Sequence, residues 1–292
     1  MQGWTIAIEA GSEIARNPKV AQNSAMSEAS TNQAETAAES RLIAFEQPLN
    51  ERMRTFLRVE FLSAQAMLHA RNDAAYGARA AIANLHEILA ITSRGDIRAD
   101  ALKELDRHAL RLHHYQRSPG VDADRLSRLM QEVESIRSAL AAAGKQFLAP
   151  LRENEFLSAI RHRSTIPGGT CMFDLPDYGY WLQLPGSVRS RQLQDWLDQL
   201  KPLCDAIDQV LWLTREAATP ARHVAAGGLY NHSLAKDESY ELVRVLIAQD
   251  SGLYPEISAG QHRFTIRFAE WQGTESRARQ APDDVAFYLA LC

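Results

Sequence analysis

Three histidines that lie close together in the chain are the first residues whose types could support chemistry. His108, His113 and His114 could bind a metal ion or transfer protons. Metal-binding histidines on one helix usually stand four residues apart, whereas these stand five and six residues after the first. The spacing therefore indicates a polar helix face, and the sequence predicts no bound metal.

Glycine, cysteine and serine motifs give no catalytic site either. Gly168-Gly169 and Gly227-Gly228 lack the Lys-Ser/Thr of a phosphate-binding loop, and neither pair opens a helix after a strand. Cys171 stands near Asp174 and could pair with one of nine histidines, but no motif supports this and a buried thiol is the favoured interpretation. The G-x-S-x-G motif of hydrolases is absent. We therefore expect no enzymatic activity and no cofactor.

The most informative pattern is an alternation of arginine and apolar residues in Gln261–Phe268. Phe264, Ile266 and Phe268 point to one side of a predicted strand, while Arg263 and Arg267 point to the other. The two arginines lie about 13 Å apart on rigid β-structure, and a guanidinium binds carboxylates and phosphates through paired donors. This face is either an ordinary solvated surface or a docking site for a peptide carboxylate.

Composition limits the class of protein. The chain has 292 residues, is 46% hydrophobic and 23% charged, and carries a net charge of −4, as expected for a soluble globular protein without a global attraction to nucleic acid or membrane. No apolar run reaches the roughly 20 residues that a membrane-spanning helix needs. We also expect no signal peptide, because charged residues interrupt the N-terminus, and reduced cysteines in the cytoplasm.

Apolar spacing divides the chain into three parts. Residues 1–40 are rich in Ala, Ser, Glu, Gln, Asn and Thr and are predicted to be a disordered tail. Residues 41–165 form a predicted helical domain, opened by a short strand over 42–47 that joins the sheet. Within it, Arg54 and Arg58 stand four apart on a helix over 51–69.

The turn between the helical half and the sheet half is predicted over Ile166–Gly169, because Pro167 fixes its own φ and the two glycines allow backbone angles that other residues avoid. Arg161 and Arg163 stand just before it. Residues 166–292 form a predicted β-rich domain. Its strands are expected over 169–175, 178–184, 224–232, 240–248, 261–271 and 284–291, and a helix over 190–217, kinked or divided at Pro202, is expected to pack on the sheet. The predicted fold class is α+β, with mostly antiparallel strands.

Several long strings resemble the ZapD family of bacterial cell-division proteins. They fall in the family's order and cover about Leu42 to Cys292, while residues 1–40 have no counterpart. The strings are Phe45–Phe61, Leu102–Arg107, Pro119–Asp122, Ser164–Pro176, Leu253–Ser258 and Arg263–Phe268.

The resemblance implies a non-enzymatic cytoplasmic homodimer that acts at midcell with the Z-ring. Proteins of this family bind the short C-terminal tail of FtsZ, which carries acidic and apolar residues, and cross-link FtsZ filaments into bundles. The residues of this sequence that match basic positions of the family are Arg263, Arg267, Arg54, Arg58, Arg161 and Arg163. Glu155 and Gly179 depart from that pattern, because they stand where Arg and His are expected.

Two other classes of function stay open. A nucleic-acid-binding adaptor would need a continuous basic stripe, and the net negative charge of the chain argues against one. An enzyme would need an acid and a base that converge in a pocket.

The stripe of apolar residues over 126–140 has two possible roles. It forms either the core of the helical half or the contact with a second subunit.

Overall fold

Two separate apolar cores, one between helices and one between sheets, organise the chain from Leu42 onward. The computed structural model describes residues 41–116, 121–235, 239–260 and 262–292. The predicted tail over 1–40 lies outside these residues. The division into domains at residues 165 and 166 stays a prediction.

Four helices of the described residues begin at a capping side chain. Asn50, Asp96, Asp122 and Asn154 each accept a hydrogen bond from the backbone N–H three residues on, which satisfies a donor that the first helical turn leaves free. The helices are α1 (Glu51–Ala70), α2 (Ala75–Thr92), α3 (Ile97–Tyr115), α4 (Ala123–Ala143), α5 (Ala149–Arg152), α6 (Glu155–Arg163), α7 (Pro176–Gln183) and α8 (Gly186–Glu216).

Helix α8 is the centre of the helical core. It runs without interruption through Pro202 and packs against α1, α2, α3 and α4. We expected this helix on the sheet, but its buried residues, among them Leu203, Ile207 and Val210, belong to the helical core. Its last turn reaches the sheet through Arg215.

The two strands predicted over 169–175 and 178–184 are wrong. The first segment is a series of turns and the second lies in α7. Pro176 stands in the first turn of α7, where a missing N–H costs nothing, and Tyr178, Trp181 and Leu182 are buried at helical spacing. Aromatic residues favour strands, but Trp181 and Leu182 stand three and four residues after Tyr178, and this spacing of buried side chains fits a helix.

The strands form two antiparallel sheets, which confirms the α+β class and the antiparallel pairing. One sheet has the order β1-β4-β8-β2, and the other has the order β3-β6-β5 with β7 beside β6. The strands are β1 (Leu42–Pro48), β2 (Ala221–Ala225), β3 (Leu229–Ser233), β4 (Leu242–Ala248), β5 (Leu253–Ala259), β6 (Arg263–Glu270), β7 (Arg279–Gln280) and β8 (Val285–Leu291).

Two details of the sheets differ from the prediction. The single strand expected over 224–232 is two strands, because Gly227 and Gly228 turn the chain with φ of 54° and 73°. Strand β5 was missed because Pro255 stands in its middle. This strand is the last in its sheet, and an edge strand tolerates a missing N–H.

Two clusters of charge, one half-buried and one buried, join the helices to the first sheet. In one, Arg215 at the end of α8 binds Glu46 of β1 through two hydrogen bonds of 2.8 and 2.7 Å and also binds Glu60 of α1. Arg244 of β4 donates to the same Glu46 at 2.9 Å. The cluster therefore ties one helix end to two neighbouring strands.

The second cluster is built around Glu241, just before β4. Its carboxylate accepts hydrogen bonds from Asn50 and from Arg52 of α1, and it lies 2.8 Å from an Nη of Arg107 in α3. Arg52 also lies 3.0 Å from Glu104, whose side chain is almost fully buried. Buried carboxylates of this kind are tolerated only when cations and donors surround them.

Candidate functional site

Arg263 and Arg267 lie on the solvent side of β6, as the alternation predicted. Phe264, Ile266 and Phe268 are buried in the core between the sheets, so the strand is anchored from behind. Arg263 is exposed and has no acidic partner among the described residues. Arg267 is half-buried. Within the described ranges, the sheet thus presents one guanidinium without an acidic partner and one that is partly covered, both on a fixed backbone.

The residues beside these arginines are set by strand register. Arg267 stands opposite Leu229 of β3 and Glu256 of β5, and its Nε lies 3.0 Å from Glu256 Oε2. Between the two arginines, Thr265 donates a hydrogen bond of 2.7 Å to Asn231. The face therefore combines the exposed Arg263, a polar centre, a partly exposed leucine and an internal ion pair.

The second pair of arginines lies on the first helix. Arg54 donates to Glu51 one turn earlier, with Nε 3.0 Å from Oε1, and Arg58 is exposed one turn later. Exposed pairs of this type contribute little free energy, so Arg54 can exchange Glu51 for another carboxylate. Both arginines point away from the core that Met53 and Phe56 enter.

The third pair stands at the end of α6. Arg161 and Arg163 are both exposed, and an Nη of Arg163 lies 3.7 Å from Asp174 across the loop that follows. A side chain at Gly169 would stand 2.5 Å from the carbonyl oxygen of Arg163, so the loop turns tightly against the helix end. Arg163 is therefore partly neutralised, whereas Arg161 has no acidic partner among the described residues.

The three pairs of arginines are carried by three different elements: β6, α1 and α6. In the part of the chain that the structure describes, no hydrogen bond or ion pair joins one pair to another. The structure gives each pair its own local partner instead. Which of them touches a partner protein stays a prediction.

The two family positions that depart from the basic pattern have local explanations. Glu155 is the first residue of α6, where a negative charge is favoured by the helix dipole. Gly179 lies under Met172, whose Cγ stands 2.8 Å from the place of a Cβ, so any side chain there would displace the methionine.

The three histidines do not converge on a site. His108 is buried and its Nε2 lies 3.4 Å from the hydroxyl of Thr214 in α8. Burial, and then the charge of Arg107, lowers the pKa of His108 to about 4, so the ring stays neutral at pH 7. His113 and His114 are exposed. Over the described residues, no group of three His, Cys, Asp or Glu side chains could hold a metal ion.

Cys171 is half-buried rather than fully buried, and its Sγ donates to Asp174 at 3.4 Å. Among the described helices, none is long and apolar enough to cross a membrane.

Sequence reasoning missed two features of these surfaces. Glu256 was not predicted as a site residue. Its contact with Arg267 depends on which residues of β5 and β6 stand opposite each other, and local sequence patterns do not show this. The exposed side chains of Met172 and Phe173 were missed because the segment was interpreted as a strand. A proline and two glycines within four residues were the signal for a loop.

Comparisons with known proteins give the family that this chain resembles. The family model of ZapD, described as a cell division protein, matches residues 57–267. That range contains Arg58, Arg161, Arg163, Arg263 and Arg267, while Arg54 precedes it.

Curated relatives carry the same name. "Cell division protein ZapD" of Escherichia coli O17:K52:H18 (strain UMN026 / ExPEC) is 38% identical over 252 residues, which cover 86% of this chain and 98% of the relative. The proteins of Escherichia coli O1:K1 / APEC and of Shigella boydii serotype 18 (strain CDC 3083-94 / BS512) have the same identity and coverage.

Proposed function

The chain belongs to the ZapD family of cell division proteins, and we propose that it binds the C-terminal tail of FtsZ and cross-links FtsZ filaments. In this proposal it acts without catalysis, as a homodimer in the cytoplasm, and is recruited to midcell with the Z-ring. It needs no cofactor, nucleic acid or membrane.

The observation that carries the proposal is the exposed face of β6. Arg263 meets no acidic side chain there in the part of the chain that the structure describes, and Arg267 stands beside the partly exposed Leu229. The other face of the strand is packed into the core. A tail with acidic and apolar residues needs both a guanidinium and an apolar contact, and arginine gives a carboxylate two donors at once. A fixed strand also loses little entropy on binding.

Cross-linking requires at least two tail sites in one particle, and a symmetric dimer supplies them. Leu126, Val133 and Leu140 of the apolar stripe over 126–140 are buried within the chain's own helical core, which favours the core role of this stripe over the subunit contact. We expect the dimer to use another surface of the helical half.

A pull-down with purified FtsZ tests the proposal. Full-length FtsZ should be retained by this protein and should form bundles that sediment at low speed. FtsZ without its C-terminal tail should polymerise normally but should be neither retained nor bundled. Equal retention of the two FtsZ forms would show that the tail is not the ligand.

A further inference from the structure

A groove opens at one end of the two packed sheets, where β4 and β8 part. The pairing of these strands ends at Leu246 and Tyr288, although β4 continues to Ala248 and β8 begins at Val285. The turn that follows β4 and the loop that leads into β8 also line the groove, as do the start of β5 and the end of β6. The groove is therefore a gap in the sheet that gives access to the core behind it.

The floor of the groove is apolar. Ile247, Ala281 and Val285 line it and are buried members of the core between the sheets, and the half-buried Leu253 of β5 packs against the same core. The cavity has a volume of about 300 Å³. Sites for small ligands begin at about this size, so the groove has room for one long side chain rather than for a cofactor.

The rim of the groove is acidic. Glu270 is the last residue of β6 and stands on the same side of that strand as Phe264 and Phe268, which places its carboxylate at the mouth of the space between the sheets. Asp283 and Asp284 are exposed on the loop before β8. Among the described residues that line the groove, these three carry carboxylates and none is basic. The charge of the rim therefore selects a cation.

The local contacts of these carboxylates leave acceptor sites for a ligand. Asp284 accepts a hydrogen bond of 2.9 Å from the N–H of Gly227 through Oδ1, which fixes the side chain and leaves Oδ2 as an acceptor. Glu270 accepts a hydrogen bond of 3.0 Å from Gln272. Arg279 stands opposite Glu270 in the register of β6 and β7, but it lines a separate cavity beside Gln272. The negative charge of the rim is thus available to a cation from outside.

We propose that this groove binds a lysine or arginine side chain from a positively charged segment of a partner protein. The carbon stem of that side chain lies on Ile247, Leu253 and Val285, and its charged head stays at the mouth among the three carboxylates. Long basic side chains cover apolar surface in this way while the charge remains in water. The inference goes beyond the binding of the FtsZ tail, because the rim repels an acidic peptide.

The groove and the arginine face of β6 are separate sites on one strand. Arg263 is the first residue of β6 and Glu270 is the last, which puts their backbones roughly 24 Å apart. The two side chains also point to opposite sides of the strand, since seven residues separate them and the period is two. Two ligands of opposite charge can therefore be bound at the same time.

The test is a titration with a fluorescent synthetic peptide in which lysine and leucine alternate, together with NMR spectra of the methyl groups. The parent should bind the peptide, and the methyl signals of Ile247, Leu253 and Val285 should shift. A double variant, Asp283→Asn with Asp284→Asn, should bind about four- to tenfold more weakly, as the loss of two exposed charge contacts does. It should keep the parent's melting temperature, because an asparagine at position 284 retains the acceptor for Gly227.

A matched control and a second peptide separate the groove from general attraction to an acidic protein. The control variant, Glu132→Gln with Asp195→Asn, removes two exposed carboxylates from α4 and α8 and should bind like the parent. In the second peptide every lysine is acetylated, which keeps the carbon stems but removes the charges. The parent should bind it at least as weakly as the double variant binds the first peptide.

Four results would overturn the inference. The first is a parent that does not bind the lysine peptide. The second is an equal loss of affinity in the double variant and the control, which would mean that net charge attracts the peptide. The third is equal binding of the acetylated peptide, and the fourth is binding that leaves the methyl signals of Ile247, Leu253 and Val285 unmoved. None of these results bears on the FtsZ tail, whose binding is tested separately by the pull-down.

Discussion

The guanidinium of Arg267 lies against the carboxylate of Glu256 on the neighbouring strand, with Nε 3.0 Å from Oε2. Both side chains are partly exposed, so the contact is worth little to the stability of the fold. It nevertheless occupies the donors that an incoming carboxylate would use. Glu256 is therefore an internal competitor for one half of the predicted site on β6, whereas Arg263 meets no such competitor among the described residues.

Glu256→Gln should raise the affinity for the FtsZ tail peptide. The amide no longer competes as an ion for Arg267, and an exposed pair of this kind is worth up to about 1 kcal/mol, which corresponds to about two- to fivefold tighter binding. Peptide titration measures the change. Glu270→Gln is the matched control, since it removes an equal charge from the same sheet at a residue whose carboxylate accepts from Gln272. Equal effects of both variants would show that net charge, not competition, sets the affinity.

A charge at Val133 should unfold the protein rather than separate subunits. Val133 is 1% exposed in the core between α3, α4 and α8, and an unpaired buried carboxylate costs several kcal/mol. Val133→Asp should therefore lower the melting temperature by more than 10 °C or give no folded protein. Gln131→Asp, on the exposed side of the same helix, should melt like the parent. A folded, monomeric Val133→Asp protein would return the stripe over 126–140 to the subunit contact.

Glu241 should make the stability of the protein depend on acid. Burial raises its pKa, but the hydrogen bond from Asn50 and the charges of Arg107 and Arg52 outweigh burial, so the pKa is lowered from 4.5. A carboxyl whose pKa is lower in the folded state stabilises the fold above its unfolded pKa. That stabilisation is lost as the pH falls from about 4.5 through the folded pKa.

Glu241→Gln should therefore be less stable than the parent by about 3–5 kcal/mol at pH 7, because two arginines lose a buried partner. Thermal melts from pH 7 to pH 3 measure the gap between the two proteins. The gap should narrow below pH 4.5 as Glu241 of the parent takes up a proton. A gap that stays constant with pH would mean that the pKa of Glu241 is the same in the folded and the unfolded protein.

Local patterns predicted those parts of the fold that local physics determines. Asn50 and Asp122 marked the starts of helices because a capping side chain acts within three residues. The alternation in β6 correctly separated Phe264 from Arg263, because a strand has a fixed period of two. The helix over 190–217 was found by its apolar stripe, which continues past Pro202.

Features that depend on distant partners could not be predicted in this way. The α7 segment resembled a strand because its aromatic residues favour strands, while its helical form is stabilised by burying Tyr178 and Trp181 in the helical core. The buried cluster of Glu241 joins residues that are almost 200 positions apart. No local sequence motif around Asn50 or around Glu241 predicts that these two side chains meet.

The most direct test of the account is a titration of the FtsZ tail peptide with the parent and with Arg263→Glu. Arg263 is exposed on a strand whose opposite face is core, so the reversal should change the free energy of unfolding by no more than about 0.5 kcal/mol in a circular-dichroism melt. It should weaken peptide binding by roughly 30-fold or more, since an attractive charge contact becomes repulsive. Arg128→Glu, an equal reversal at an exposed position of α4, should bind like the parent. Unchanged binding by Arg263→Glu, or an equal loss in both variants, would contradict the account.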